Sequence, residues 1–161
     1  MALSIDPATP QDIPLILDLI RELAGYEHEP DAAQATPQQI EAALFGERPA
    51  AEAVISRVDG EPAGWALWFQ NFSTWTGQPG LWLEDLFVRP QYRRSGVGKA
   101  LMAYLARLCV ERGYGRFEWS VLDWNTPALD FYKALGAEAE DEWTNHRLTG
   151  KSLRRLADME S

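Results

Sequence analysis

The stretch that decides the fold is LWLEDLFVRPQYRRSGVGKAL, from Leu81 to Leu101. It joins an apolar, strand-like run, Leu81–Val88, to a helical pattern that starts at Val97. Arginines and glycines fill the space between them. The first amides of a helix have no partner inside the helix, and the helix dipole favours negative charge there. The stretch therefore predicts an anion-binding loop between a strand and a helix.

Length and composition predict one folded domain over residues 1–161. Apolar residues make up 46% and charged residues 24% of the chain, as in globular proteins. No apolar run is long enough to cross a membrane, and the opening MALSIDPATP lacks the basic head and apolar core of a signal peptide. We therefore expect a soluble, cytoplasmic protein with no membrane partner. The single cysteine, Cys109, lies in an apolar helical pattern and is expected to be buried and inert.

Charge is unevenly distributed along the chain. The formal net charge of −9 argues against a nucleic-acid partner, because such proteins use a broad basic surface. From Arg89 to Arg116, however, there are seven basic residues and one acidic residue, Glu111. An acidic chain with one basic segment indicates two ligands of opposite charge, or one anionic site in an acidic surround. We expect no bound metal.

Hydrophobic periodicity predicts a mixed α/β chain. Strands are expected at 3–5, 52–58, 63–72, 81–88, 116–122 and 146–148. Helices are expected at 10–26, 37–45, 97–112, 127–135 and 153–157. Thr-Pro opens three of these helices, at Thr9, Thr36 and Thr126. In each, the threonine can cap the helix and the proline suits the first turn.

The spacing of the glycine loop leaves several interpretations to compare. A dinucleotide fingerprint requires a third glycine where this chain has Leu101, a helix core position. A P-loop requires glycine at Arg93 and a hydroxyl side chain at Ala100. A plain turn with solvated arginines is the third alternative. The pattern that remains, Arg93-x-x-Gly96-x-Gly98, suits a pyrophosphate bound without magnesium.

Two segments together resemble the signatures of the GNAT N-acetyltransferase superfamily. LEDLFVRPQYRRSGVGKAL is similar to its acetyl-coenzyme-A loop, and DWNTPALDFYKALGA is similar to its second signature. Within the superfamily, RELAGYE, WLEDLFV and DWNTPALDFY resemble the spermidine/spermine (diamine) N-acetyltransferases and their thialysine acetyltransferase relatives. The likeness covers roughly residues 1 to 148 and is weakest at 46–64 and after Gly136. It implies a GNAT fold, in which helices flank a mixed, mostly antiparallel sheet with splayed strands.

The resemblance implies that acetyl-coenzyme A (acetyl-CoA) lies where the strand Leu81–Val88 splays from the next strand. Its pyrophosphate would bind the loop, and its pantetheine arm would pair with strand backbone. Asn125 would bind this arm if Thr126 caps the helix, and would otherwise be the cap itself. The residues so assigned are Leu86, Phe87, Val88, Arg93, Arg94, Ser95, Gly96, Val97, Gly98, Lys99, Asn125, Thr126, Pro127 and Ala128.

Two residues are implied in catalysis. A primary amine with a pKa of about 10 is mostly protonated at neutral pH, so its proton must be removed before attack. The resemblance assigns this to Glu84, as relay base or as cation binder; the alternative is an exposed strand residue. Glu84 and Asp85 are adjacent and are expected to face opposite sides of the strand. Tyr132 matches the family's general acid toward the thiolate of coenzyme A, although its helical stripe alone favours a core aromatic.

The resemblance also implies an acceptor site rich in carboxylates. Its residues are Tyr26, Glu27, Glu84, Asp85, Glu118, Trp119 and Ser120, and Trp75 can add an aromatic wall by a cation–π contact. The acidic groups would hold a second ammonium group of the substrate. Glu27, Glu29 and Asp31 can instead form a solvated acidic loop. The acidic segment EAEDEWTNHR, at 138–147, departs from the family pattern, so the choice of amine stays open.

We therefore expect an acetyl-CoA-dependent N-acetyltransferase that acts on a small cationic amine of polyamine or diamine type. Direct attack in a ternary complex is the expected mechanism. One alternative is the same chemistry on thialysine, another amino acid or a protein amine. An alternative of another class is a non-catalytic module that senses acetyl-CoA. The resemblance also suggests a homodimer.

Overall fold

The computed structural model describes residues 1–159, and the chain forms two compact units. The first unit runs from Met1 to Ser120, and the second begins at Val121. None of the helices in the described residues is long and apolar enough to cross a membrane. The prediction that residues 1–161 make one domain stays a prediction.

The first unit is built on a five-stranded sheet whose strands lie in sequence order. The strands are β1 (Leu3–Pro7), β2 (Glu52–Val58), β3 (Glu61–Ser73), β4 (Gln78–Val88) and β5 (Phe117–Trp119). Strands β1 to β4 pair antiparallel with their neighbours, whereas β5 pairs parallel to β4. This confirms the predicted mixed, mostly antiparallel sheet flanked by helices.

Three α-helices belong to this unit: α1 (Ile13–Tyr26), α2 (Pro37–Phe45) and α3 (Val97–Arg112). Short 3-10 turns precede α1 at Pro10–Asp12, follow it at Pro30–Ala32 and leave β4 at Pro90–Tyr92. The bounds of α2 and α3 agree with the predicted ones. Gly113 ends α3 in the left-handed region, with φ 71°, a conformation that glycine adopts at little cost.

The helices cover both faces of the sheet. Helices α1 and α2 pack on one face around the buried side chains of Ile16, Leu19, Ile55, Trp65 and Phe87. Helix α3 contacts β3 and β4 and buries Val97, Leu101, Met102, Leu105 and Cys109. Burial raises the pKa of the Cys109 thiol and keeps it protonated, which agrees with the buried, inert thiol that was predicted.

The second unit contains α4 (Thr126–Ala134) and α5 (Gly150–Ala157), both close to their predicted bounds. The predicted strand at 146–148 was wrong, because this segment is exposed and pairs with no described strand. The predicted strand at 116–122 was too long. Its alternating pattern continues past Trp119, but its pairing with β4 stops there.

Of the three threonines, Thr36 caps its helix through the side chain, whereas Thr9 stands at the N-cap position of the turn Pro10–Asp12 without a side-chain capping bond. The Thr9 amide donates to the Asp12 carboxylate (2.8 Å), and Thr36 Oγ1 accepts from the Gln39 amide (3.2 Å). At α4, however, the cap is Asn125, whose Oδ1 accepts from the Ala128 amide (3.3 Å). The prediction that Thr126 would cap this helix was therefore wrong.

Candidate active site

The sheet opens between β4 and β5. Their parallel pairing covers only Leu81–Leu83 and Phe117–Trp119. Beyond it, the segment from Asp85 to Val88 pairs with β3 and with no other strand within residues 1–159. The edge of β4 that faces away from β3 is therefore unpaired over this segment, where the sequence predicted splayed strands.

The register with β3 decides which backbone groups face the open edge. The Arg89 amide donates to the Ala63 carbonyl (2.8 Å), which makes these two residues a hydrogen-bonded pair. Such pairs alternate along an antiparallel ladder, so the amide and carbonyl of Phe87 also point toward β3. The amides and carbonyls of Leu86 and Val88 point away from β3, toward the open edge. The backbone prediction for Leu86 and Val88 suits this geometry, but Phe87 is corrected. Its backbone is used by the sheet, and its side chain is buried at 4% exposure.

The loop that follows β4 presents free amides at the start of α3. Gly96 is the N-cap residue, with φ 86°, and a side chain there would meet no described atom within 4 Å. None of the backbone amides from Arg94 to Lys99 donates a well-formed hydrogen bond within residues 1–159. Ser95 instead donates its hydroxyl to the Tyr92 carbonyl. This geometry suits an anion at a helix start, as the sequence predicted.

The two loop arginines differ in their contacts. Arg93 Nε donates to the Val88 carbonyl (3.0 Å), and its guanidinium carbon lies 4.7 Å from the centroid of the Tyr26 ring. Arg94, with φ 64°, is exposed and makes no hydrogen bond or ion pair with the described residues. The structure thus leaves Arg94 for an anion, whereas Arg93, expected to bind the same anion, is engaged elsewhere.

A β-bulge at Glu84 changes the direction of the neighbouring side chains. Leu83 pairs with Trp68 and Asp85 pairs with Leu67, so Glu84 has no partner on β3. Asp85 consequently lies on the same face as Trp82, which pairs with Phe69. The Trp82 indole donates to the Glu84 carboxylate (3.3 Å) and places that group on this face too. The prediction that Glu84 and Asp85 face opposite sides was wrong, because the bulge interrupts the alternation.

Asp85 lines an acidic cavity beneath α1. The cavity has a volume of about 150 Å³. Its walls are formed by α1, the loop that follows α1, and Asp85 of β4. Its lining residues are Ile20, Leu23, Ala24, Glu27, Glu29, Ala32, Ala33 and Asp85. Three of these eight are carboxylates and five are apolar, so the cavity has the character of a cation site with apolar walls. Glu29, expected in a solvated loop, is exposed and also lines the cavity.

Burial raises the pKa of two of these carboxyl groups, Asp85 and Glu27. Burial raises the pKa of Asp85 to about 6, with further contributions from the charges of Glu84 and Glu27. Burial also raises the pKa of Glu27. A bound cation would favour the ionised forms of both groups. The solvated-loop alternative therefore holds for Asp31, which is exposed and outside the cavity, and not for Glu27.

The remaining predicted acceptor residues of this unit lie apart from the cavity lining. Glu118 pairs with Trp82 and so shares the face of Asp85, whereas Trp119 pairs with Leu83 on the opposite face. Ser120 is exposed at the end of the unit. Trp75 is 86% exposed at the β3–β4 turn, eight residues beyond Leu67. At roughly 3.3 Å per residue along a strand, it is too far along the hairpin to form an aromatic wall here.

The predicted residues of the second unit lie on and before α4. Tyr132 is half-buried on this helix, and its ring centroid lies 5.4 Å from that of Phe131. Asn125 is buried at 7% exposure and uses its Oδ1 as the helix cap, which corrects the expectation that its amide group was spared from capping. Thr126 and Pro127 form the first turn. Within residues 1–159 there is no group of three or more His, Cys, Asp or Glu side chains that could hold a metal ion.

Comparison with known proteins connects this geometry to one family. A family model described as Acetyltransferase (GNAT) family matches residues 16–137, which include β4, the loop, α3 and α4. The chain belongs to the GNAT acetyltransferase family. It is thus an acetyltransferase, as the two sequence signatures predicted.

Its GNAT relatives include enzymes named for amine substrates. The chain is 38% identical over 154 residues to the thialysine N-epsilon-acetyltransferase of Sus scrofa, covering 88% of this chain and 89% of that protein. It is 29% identical over 194 residues to an L-ornithine N5-acetyltransferase of Arabidopsis thaliana, covering 92% and 85%. It is also 28% identical over 156 residues to a spermidine/spermine N(1)-acetyltransferase-like protein of Homo sapiens, covering 91% of this chain and 22% of that protein.

Solved structures share the fold. An integron cassette protein from the mobile metagenome of V. cholerae has a TM-score of 0.82 at 25% identity, and 99% of each chain is covered. An aminoglycoside acetyltransferase from a soil metagenomic sample has a TM-score of 0.77 at 19% identity, covering 92% of this chain and 97% of that one. The second likeness concerns the fold alone.

Proposed function

We propose that this GNAT protein transfers the acetyl group of acetyl-CoA to a primary amine of a small cationic acceptor that carries a second positive charge. The observation that carries the proposal is the acidic cavity. Asp85, Glu27 and Glu29 line it, and Asp85 lies one residue before the outward-facing backbone of Leu86. An ammonium group in the cavity would thus lie beside the open edge of β4.

The residues of the first unit fit the acetyl donor. The amides from Arg94 to Lys99, together with the side chains of Arg94 and Lys99, suit its pyrophosphate. The backbone of Leu86 and the amide of Val88 suit a peptide-like arm that adds to the edge of β4. Such a donor supplies a thioester that is attacked by the amine. Gly96 leaves open space on the loop where a side chain would otherwise stand.

The carboxyl pair Glu84 and Asp85 is proposed to remove the proton of the attacking amine. The pKa of Asp85, raised by burial to about 6, suits this role, because an efficient base titrates near the working pH. Glu84 is exposed and is held by the Trp82 indole, which suits a relay through water or a contact with the second ammonium. Tyr132 is proposed to protonate the departing thiolate of coenzyme A, and Asn125 to bind the arm of the donor through groups other than its capping oxygen.

The acceptor class divides into two candidates. The acidic cavity suits the spermidine-like polyamines and diamines. The relatives named thialysine and L-ornithine acetyltransferases favour, as the second candidate, an amino acid with a terminal amine. Both candidates carry two amines. They differ in the carboxylate of the amino acid, which the acidic lining would disfavour unless a basic group meets it.

Incubation with acetyl-CoA and a panel of amines tests the proposal. The panel contains spermidine, putrescine, thialysine, ornithine and a lysine-containing peptide, and free thiol and acetylated amine are measured together. The proposal predicts thiol release that matches acetylated product for at least one diamine. Preference for thialysine over spermidine would select the amino-acid candidate. Binding of acetyl-CoA without thiol release for every amine would favour a sensor and contradict transfer.

A homodimer and a cytoplasmic location belong to the same proposal and rest on the sequence expectations. The dimer is tested by analytical ultracentrifugation, for which the chain mass of 18.1 kDa sets the scale. A mass of one chain across the working concentration range would contradict it. The location is tested by fractionation of cells that express the protein; recovery with membranes would contradict it.

A further inference from the structure

Arg93 joins three parts of the proposed active site. Its Nε bonds the Val88 carbonyl at the open edge of β4 (3.0 Å). Its guanidinium carbon lies 4.7 Å from the centroid of the Tyr26 ring and 5.6 Å from that of Phe87. Its own backbone begins the loop that leads to the free amides of α3. Arg93 thus belongs to the loop between β4 and α3, here called the donor loop, and its side chain contacts both the open edge of β4 and the end of α1.

The ring partners of Arg93 stand next to residues that line the acidic cavity. Tyr26 is the last residue of α1 and is followed directly by Glu27, which lines the cavity. Phe87 lies two residues after Asp85, and both face α1. A planar guanidinium that stacks on both rings fixes the end of α1 relative to β4. It therefore also fixes the separation of Glu27 from Asp85.

We propose that Arg93 is a positioning residue for the acceptor amine, and that it couples the donor loop to the acceptor cavity instead of neutralising the pyrophosphate. This inference rests on the proposed function, since it assigns Arg93 a part in the same reaction. The neighbouring Arg94 offers a matched control. It carries the same charge, stands one residue further along the loop, and makes no ion pair with the described residues.

Three variants separate positioning from charge: Arg93→Met, Arg93→Lys and Arg94→Met. Arg93→Met should raise the KM for the amine about 3- to 10-fold, the range expected for loss of a cation–π contact, while leaving the Kd for coenzyme A within about twofold. Arg93→Lys should raise the KM for the amine by a smaller factor, because lysine keeps the charge and can keep a cation–π contact but loses the Nε bond to the Val88 carbonyl and the planar guanidinium. Arg94→Met should instead raise the Kd for coenzyme A, and the rise should shrink with added salt.

The readouts are steady-state KM and kcat for the amine, and calorimetric titration with coenzyme A alone at two salt concentrations. Melting temperature verifies that each variant is folded; Arg93 is exposed, so all should be. An unchanged amine KM in Arg93→Met, or a loss of coenzyme A affinity that lysine restores, would overturn the positioning role. A wild-type protein that acetylates no amine would instead overturn the proposed function, and the calorimetric comparison of Arg93 with Arg94 would still stand.

Discussion

Asp85 illustrates at the residue scale how the proposed site opposes the stability of the fold. Its carboxyl group is removed from water and lies beside the charges of Glu84 and Glu27, which raises its pKa to about 6. The ionised form is therefore less favourable in the folded protein than in the unfolded chain. A cationic ligand bound beside Asp85 would offset this cost of ionisation.

Asp85→Asn should stabilise the free protein at pH 8. A carboxyl group whose pKa is higher in the folded protein than in the unfolded chain stabilises the fold at pH values below its unfolded pKa, about 3.9. This stabilisation is lost as the pH rises through the folded pKa, about 6. At about 1.36 kcal/mol per pKa unit, the gain at pH 8 should be about 1–3 kcal/mol and should vanish near pH 4. Urea unfolding at both pH values measures it.

The matched control for Asp85→Asn is Asp31→Asn, which makes the same change at an exposed position outside the cavity lining. Substitutions at such surface positions usually change stability by less than about 0.5 kcal/mol. Equal stabilisation by both variants, or a gain from Asp85→Asn that persists at pH 4, would contradict the burial account. Amine affinity should fall in Asp85→Asn although the protein is more stable.

Tyr132→Phe tests the general acid. Loss of the hydroxyl should slow turnover by about 10²- to 10⁴-fold, the usual contribution of general acid catalysis, and should leave the Kd for coenzyme A unchanged. Tyr114→Phe is the control, because the Tyr114 hydroxyl bonds Gln70 (3.1 Å) at the far end of α3. Turnover of Tyr132→Phe at the wild-type rate would show that another group protonates the thiolate.

At the scale of elements, the start of α4 shows how two neighbouring residues compete for one role. Asn125→Ala should destabilise α4 by about 1 kcal/mol, because its Oδ1 accepts from the Ala128 amide. Thr126→Ala should cost less, since Thr126 already lies inside the helix. Amide hydrogen exchange of Ala128 and Leu129 measures the difference. A larger effect from Thr126→Ala would return the capping role to the threonine.

The elements show which features a sequence pattern determines. Helices α2 and α3 were predicted to the residue, because apolar spacing agrees with the Thr-Pro start of α2 and with Gly113 at the end of α3. Strand β5 was predicted four residues too long, since alternation cannot reveal where a partner strand diverges. The alternating pattern at 146–148 pairs with no strand in the part of the chain that the structure describes.

The sequence predicted those parts of the site that consist of contiguous residues, and not those that depend on how β3 and β4 pair. The anion loop follows from residues that are contiguous in sequence, and its left-handed Gly96 agrees with the pattern. The bulge at Glu84 depends on pairing between β3 and β4, and it is what brings Glu84 and Asp85 to one face. The cavity also needs α1, and the contacts of Arg93 arise only when the end of α1 meets β4.

At the scale of the whole molecule, the charge distribution agrees with two ligands of opposite sign. The chain has a net charge of −9, yet the segment that contains the donor loop is basic. The acidic cavity lies beside the open edge of β4. An acidic surround raises the local concentration of a cationic amine. The kcat/KM for the amine should therefore fall with added salt more steeply than for an uncharged amine of similar size.

The most direct measurement is calorimetric titration of coenzyme A into the wild-type protein and into Gly96→Val. The account predicts saturable binding by the wild type and its loss in the variant, because a side chain at Gly96 occupies the open space beside the loop amides. Gly96→Asn repeats the test with less strain, since asparagine tolerates the left-handed conformation. Equal affinity in folded variants, or no binding by the wild type at millimolar coenzyme A, would contradict the account.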